Sequence, residues 1–296
     1  MNPLALELKT KKSSLLEFSI TTKNVLQFLQ YMTSDTTYAG DYRISKQKND
    51  GTEKFMRPIN TKLYIADPES FQMNFNMLLD ILDRIKSRSL NFSDEDLLII
   101  DSVLYTIQQS IGAGFDLLVA SNSSRKHVGN RFEELIRCVF SEIGIEHKHT
   151  VLQIPYEAET GTKVYKCEND LILSPYSKVR STGSTLDERE IVVSVKTTSK
   201  DRMGKMFIDK LLLERFVKHP QKVIGVFLND VQRKEEHAIS YTLVSGLFMV
   251  YTQFLTPLEG IYYLDPPPNA LKVPLSNHMG TFSQLITKDV FRLLAS

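Results

Sequence analysis

The sequence predicts an α/β fold: a mixed central β-sheet flanked by helices over residues 121–296, preceded by a mainly helical region over residues 1–120. Three observations carry this. In the second half, short β-branched runs alternate with stretches of 3–4 apolar spacing, as layers of sheet and helix require. The first half shows helical spacing but carries no enzymatic motif. Between them in character, one strand–helix pair from Glu190 to Phe216 aims isolated charges at otherwise apolar faces.

The chain has 296 residues and 42% hydrophobic content, ample for one large domain or two modest ones. Its 36 basic and 35 Asp and Glu side chains leave a formal charge of +1, which argues against a general polyanion sponge. A local basic groove on a neutral protein stays open. Cys138 and Cys167 are the only cysteines, each in an apolar context. A reduced, cytoplasmic protein is expected, without signal peptide, membrane span or internal repeat.

In the N-terminal region, Asn24 to Met32 reads as a short helix after Thr21 and Thr22, and the tract from Ser34 to Pro58 as polar turns. Phe71, Phe75, Leu78, Leu82 and Ile85 carry helical spacing. Ser93 with Asp96 resembles a capping box, opening a helix from Asp94 to Ser110 that Gly112 and Gly114 end. This region gives DNA contacts and dimer support only as an option; scattered aromatic and basic residues are more often ordinary core and surface.

The second half opens at SNSSRKH. Arg125, Lys126 and His127 at a helix N-terminus are placed for phosphates; a solvated charged turn explains them equally well. Phe132, Leu135, Ile136, Val139 and Phe140 form the apolar face of the helix, with Glu133 beside it and Glu134 off it. Val164 to Ser174 reads as a strand with Asp170 in its middle. Val223–Leu228, Ile239–Val244 and Gly260–Leu264 read as further strands, Leu247–Leu255 and Ser283–Leu294 as helices. DPPPNALKVP excludes regular structure and suggests an arm, which in a dimer embraces the partner.

In the central pair, Ile191, Val192, Val193 and Val195 form a buried strand. Strand alternation puts Glu190, Val192, Ser194 and Lys196 on one face. Ser199 or Thr198 is the expected cap of the next helix, whose first turn carries Lys200, Asp201 and Arg202. Met206, Asp209, Leu213 and Phe216 share one stripe of it. Lys196 follows Asp170 by 26 positions, and the polar tract between them reads as a surface loop. Adjacent strands bring the two together, as a site or as a buried ion pair.

These residues resemble the core of PD-(D/E)xK nucleases, which fold as a restriction-endonuclease-like sheet. The acidic residue expected two before the lysine is Ser194 here. That departure resembles the type II restriction endonucleases that read CCGG, CCNGG and CCWGG, where the carboxylate lies on the following helix. Asp209, 13 positions after Lys196, occupies that place, with Asp where the family usually has Glu. KTTSKDR resembles the branch's basic–acidic–Arg triplet, and SSRKHVGNRFEELI its first core helix, with Gly129 and Glu133. The resemblance spans about Ser124 to Asn229.

It implies Mg²⁺-dependent cleavage of double-stranded DNA at a CC/GG-containing palindrome by a prokaryotic, cytoplasmic homodimer or higher oligomer. Asp170, Lys196, Asp209, Glu133 and Ser194 become the catalytic set, with Asp170 and Asp209 on the metal. Glu190 or Glu188 is the fallback for Asp209. Lys200, Asp201 and Arg202 read bases, while Arg125 and Lys126 hold the backbone. Two alternatives remain: a repair or junction-resolving nuclease on the same core, and a non-catalytic DNA-binding protein that keeps the fold.

Overall fold

The structure is a computed structural model that describes residues 2–32, 35–49, 52–89, 91–119, 121–235 and 237–296. Before residue 120 come α1 (Pro3–Lys9), α2 (Leu15–Met32), β1 (Asp35–Ala39), β2 (Tyr42–Asn49), β3 (Thr52–Phe55), β4 (Ile59–Asn60), α3 (Pro68–Lys86) and α4 (Asp94–Leu118). The core follows: α5 (Ser121–Glu142), β5 (Glu146–Ala158), β6 (Gly161–Ser174), β7 (Ile191–Lys196), α6 (Met203–Val217), β8 (Lys222–Asn229), β9 (Val231–Glu235), β10 (Ala238–Tyr241), α7 (Ser245–Phe254), β11 (Gly260–Asp265) and β12 (Met279–Thr281). A last helical run comprises α8 (Phe282–Gln284), a π-helical segment (Leu285–Asp289) and α9 (Val290–Ala295).

The main sheet has the order β12-β11-β8-β7-β6-β5. β5, β6 and β7 run antiparallel, while β7, β8, β11 and β12 run parallel. It is the mixed, helix-flanked sheet that the alternation of elements predicts. Leu171, Ile191, Val193, Val195 and Val226 join one apolar cluster with α4 and α5. Ile172, Val192, Phe227 and Tyr263 join the other, with Phe207 of α6 and Phe248 of α7. β7 is therefore buried on both faces and reads as a continuous apolar run.

Where the N-terminal region differs from expectation, burial explains it. The tract from Ser34 to Pro58 contains β1, β2 and β3, which form an antiparallel sheet with β4. No residue of β1 is buried, so the apolar alternation that signals a strand never arises. Ser34, Asp50 and Gly51 of this tract lie outside the described residues. The helix expected from Asn24 begins at Leu15 instead. Thr21 and Thr22 lie inside it, and Thr22 satisfies its hydroxyl on the Phe18 carbonyl at 2.8 Å.

The Ser93/Asp96 capping box is present, but α4 runs through both glycines to Leu118. They serve close approach rather than termination. A Cβ at Gly112 would overlap the Arg57 guanidinium, and one at Gly114 would lie 2.9 Å from Leu8 Cδ1.

In the second half, β10 realises the expected strand, but its partner β9 was not expected, since QRKE carries no apolar signal. The proline-rich tract is irregular, as predicted. It is no free arm: Ala270 is buried and Asn269 Nδ2 donates to Ser245 Oγ at 2.6 Å, folding the tract onto its own chain.

Asp101 of α4 is buried and accepts from Ser283 N at 2.9 Å and Ser283 Oγ at 2.6 Å. Burial pushes its carboxyl up to about 7, against the lowering effect of those two bonds. The folded chain thus holds this proton more tightly than the unfolded one. The resulting contribution to stability is present at low pH and is lost as pH rises toward 7. Asp101→Asn mimics the protonated acid. Its melting temperature relative to wild type should be highest near pH 8.5, by about 2–4 kcal/mol of relative stability, and should fall as pH is lowered to 5.5. A gap independent of pH would contradict this.

Candidate active site

The site forms where β6 and β7 part. Their pairing ends at Leu171 opposite Val193. Beyond that point the Asp170 carboxylate takes over: Val195 N donates to Asp170 Oδ2 at 2.9 Å. Lys196 Nζ donates to the same oxygen. On its other side Lys196 stays in register with Phe227 of β8. The lysine is thus fixed by backbone pairing while its side chain enters the gap between the strands.

Glu133 reaches this gap from α5, with Oε1 3.6 Å from Lys196 Nζ. Burial raises its pKa, and Asp170 raises it further; Lys196 and Arg137 offset part of the rise. Two carboxylates thus share one lysine, an arrangement suited to gaining positive charge.

A cleft of about 270 Å³ opens beside the pair, lined by Asp170, Ser194, Lys196, Arg202, Lys205 and Asp209. The structure therefore brings together Asp170, Ser194, Lys196 and Asp209 from β6, β7 and α6, with Glu133 against Lys196 from α5. Met206 and Leu213 on the Asp209 stripe are buried, which orients α6 with Asp209 toward the cleft. Asp209 is ion-paired with Lys205 one turn away. Cys167, the thiol of this cleft, has its pKa raised by burial and then by Asp209, with Lys205 offsetting part of the rise. Among the described residues no three His, Cys, Asp or Glu side chains converge to cage a metal.

The triplet Lys200–Arg202 lies in the turn before α6, not in its first helical turn. The helix starts at Met203 with no side-chain cap. Ser199 and Thr198 are drawn elsewhere by Asp230, which follows β8. Asp230 accepts from Ser199 N at 2.7 Å, Ser199 Oγ at 2.6 Å and Thr198 Oγ1 at 3.1 Å. Thr242 Oγ1 and Tyr263 OH donate to it as well, at 3.1 and 2.8 Å. Asp201 is held in the left-handed region at φ 58°, which Asp and Asn tolerate better than other side chains. Lys200 Nζ donates to Gln232 Oε1 at 3.1 Å, and Arg202 faces the cleft.

Asp230 was invisible to sequence reasoning. The available signal was topological: β7 and β8 are parallel, so their C-terminal ends share the edge where α/β sites gather. Glu190, by contrast, is not an alternative to Asp209. It is buried at the far end of β7 and accepts from Arg180 N at 2.7 Å and Ser181 N at 2.9 Å, closing the loop between β6 and β7.

Arg125 and Lys126 are exposed within α5, which begins at Ser121 rather than at the basic residues. His127 stacks on Phe115 with ring centroids 5.6 Å apart. Glu134, expected off the apolar face, is buried. Its carboxylate takes Arg131 Nη2 at 2.7 Å and Lys12 N at 2.9 Å, tying α5 to the N-terminal segment.

The fold is that of a restriction endonuclease. The chain superposes on the Type IIP restriction endonuclease Kpn2I with a TM-score of 0.70 at 16% identity, covering 95% of this chain and 91% of that one. The restriction endonuclease PspGI, in complex with substrate DNA, matches with a TM-score of 0.43 at 12% identity, over 75% of this chain and 93% of that one. No protein-family model and no curated protein matches the sequence. Among the described residues, no helix is long and apolar enough to cross a membrane.

Proposed function

We propose that the protein is a type II restriction endonuclease, cutting both strands of DNA at a palindrome that contains CC and GG, of the CCNGG or CCGG kind. The observation that carries this reading is the meeting of Asp170 and Lys196 at the parting of β6 and β7, with Asp209 on the same cleft. Lys196 donates from its ammonium to the oxygen of the attacking water, orienting it and stabilising the hydroxide left when the water's proton passes to solvent. Asp170 fixes that ammonium and, with Asp209, offers carboxylate oxygens for Mg²⁺. The donor set fits: it is oxygen-based, and Mg²⁺ keeps water and substrate phosphate among its ligands rather than needing an all-protein cage. Bound there, the cation would supply neutralisation of the phosphate charge and a more acidic water. Ser194 contributes at most a hydrogen bond, and Glu133 modulates the charge on Lys196.

Asp201 and Lys200 offer an acceptor and a donor to base edges, and Arg202 a bidentate donor to guanine. Cutting both strands of a twofold site is most simply done by a homodimer, with one cleft per strand. Discrete plasmid fragments in Mg²⁺ are the expected result. A smear would indicate a repair-type nuclease, and binding without cutting a non-catalytic DNA-binding protein.

The reading also predicts specificity. Asp201→Asn keeps the left-handed turn, since Asn adopts that conformation as readily. It gives up the charge and one of the two acceptor oxygens that cytosine N4 can meet. Affinity for the cognate duplex should fall by about 1–3 kcal/mol per half-site, with scrambled duplex little changed. An unchanged cognate-to-scrambled ratio would remove Asp201 from base reading.

A further inference from the structure

We propose that Arg125 and Arg233, flanked by the Asp116-paired Arg57, form a phosphate-binding groove for the DNA backbone, through which the N-terminal sheet helps to hold DNA; this rests on the nuclease reading above. The groove has a volume of about 460 Å³. Its three arginines come from three places: Arg57 between β3 and β4, Arg125 on α5 and Arg233 on β9. Asp116 is the acidic residue of this lining, and Arg57 already engages it bidentately, Nε to Oδ2 at 2.8 Å and Nη2 to Oδ1 at 2.9 Å. Among the described residues, no carboxylate pairs with Arg125 or Arg233.

Arg233 is instead held by an aromatic face. Its guanidinium lies 3.9 Å from the centroid of the Phe55 ring. Such stacking orients the charge without consuming its in-plane donors, which remain for an anion. Thr197 and the Gln232 amide add neutral donors of the kind that contact phosphate oxygens. An adjoining cleft of about 430 Å³ shares Arg57 and Arg125 and adds Lys54.

A polymer backbone fits this groove better than a small phosphate ester. Thr197 and Thr198 line it and directly follow Lys196 of the catalytic cleft, so the two sites adjoin. Arg125 precedes Glu133 by eight residues of α5, roughly 12 Å along the helix. That is about three to four steps of one DNA strand at ~3.4 Å each. A single strand lying along α5 would meet both sites.

The N-terminal wall is rigidly attached. Tyr42 OH and Asn60 Nδ2 donate to Asp265 of β11 at 3.0 and 2.8 Å, and Asn60 N donates to Tyr105 OH at 2.8 Å. Tyr42 also packs edge-on against Tyr241 of β10, with centroids 6.4 Å apart. β2 and β4 thus present Phe55 and Arg57 to the hairpin of β9 and β10 in a fixed geometry.

The test is binding of 24-base-pair cognate and scrambled duplexes, with Ca²⁺ replacing Mg²⁺, from about 50 to about 200 mM salt. The variants are Arg125→Ala, Arg233→Ala, Arg233→Lys and the double alanine. Arg125 and Arg233 are both exposed, so truncation leaves the core intact. Each alanine should weaken both duplexes about tenfold with their ratio preserved, and flatten the salt slope by about 1; the double variant should flatten it by about 2. Arg233→Lys should keep the slope. An unchanged slope in the double variant, or a loss confined to the cognate duplex, overturns the groove. If wild type discriminates the duplexes while the double variant matches it, the groove alone falls. If wild type binds neither duplex, the nuclease reading falls too.

Discussion

Lys196→Ala should cut DNA roughly 10²–10⁴-fold more slowly than wild type while still binding duplex in Ca²⁺. The lysine is fixed by pairing with β8 and by the Asp170 carboxylate, so its ammonium has a defined position at the mouth of the cleft. Removing it leaves Asp170 and Glu133 facing each other without the cation between them, but Val195 N still donates to Asp170. The strand end therefore survives, and the loss is chemical. Asp170→Asn should be equally severe, since the amide keeps an oxygen for Val195 N but gives up the charge. Plasmid cleavage at matched protein concentration measures this, with circular dichroism confirming the fold. Wild-type cleavage by either variant would mean that the site is misassigned.

Asp209→Ala should be nearly as damaging, and Asp209→Glu should not. Asp209 is one of three carboxylates, with Asp170 and the exposed Glu168, that line the cleft alongside Ser194. Its partner Lys205 lies on the preceding turn of α6 with its side chain half exposed. Alanine at 209 therefore removes a carboxylate from the cleft with little structural cost, and under the proposed function cleavage should demand much higher Mg²⁺. Glutamate keeps the charge and extends it by one methylene toward the cleft. A titration of cleavage rate against Mg²⁺ separates the two variants. If Asp209→Ala has the wild-type Mg²⁺ dependence, the second carboxylate of the site is not Asp209. Glu190 would not replace it, being committed to the backbone at Arg180 and Ser181.

Much of the candidate site was legible because short-range rules govern it. Alternation along β7 placed Ser194 and Lys196 on one face, and 3–4 spacing along α6 placed Asp209 in line with Met206 and Leu213. The parting of β6 from β7 was not legible, since it depends on a side chain replacing a ladder hydrogen bond. Asp230 escaped notice for a related reason. A single acid after a strand looks like a turn residue until the parallel partner brings Thr198 and Ser199 to it. The N-terminal sheet was lost because β1 buries nothing, and because in β2 the buried pair Tyr42 and Ile44 gives way to the polar buried residues Ser45 and Gln47, which carry no apolar signal. Gly112 and Gly114 misled because glycine in a helix signals both an end and a close approach, and only Arg57 and Leu8 decide which.

Digestion of a sequenced phage genome by the purified protein in Mg²⁺, with every fragment end read, tests the central claim most directly. Ends confined to one palindromic sequence containing CC and GG, absent from digests by Lys196→Ala, are the predicted result. Ends scattered without sequence preference, or the same ends from Lys196→Ala, would contradict it.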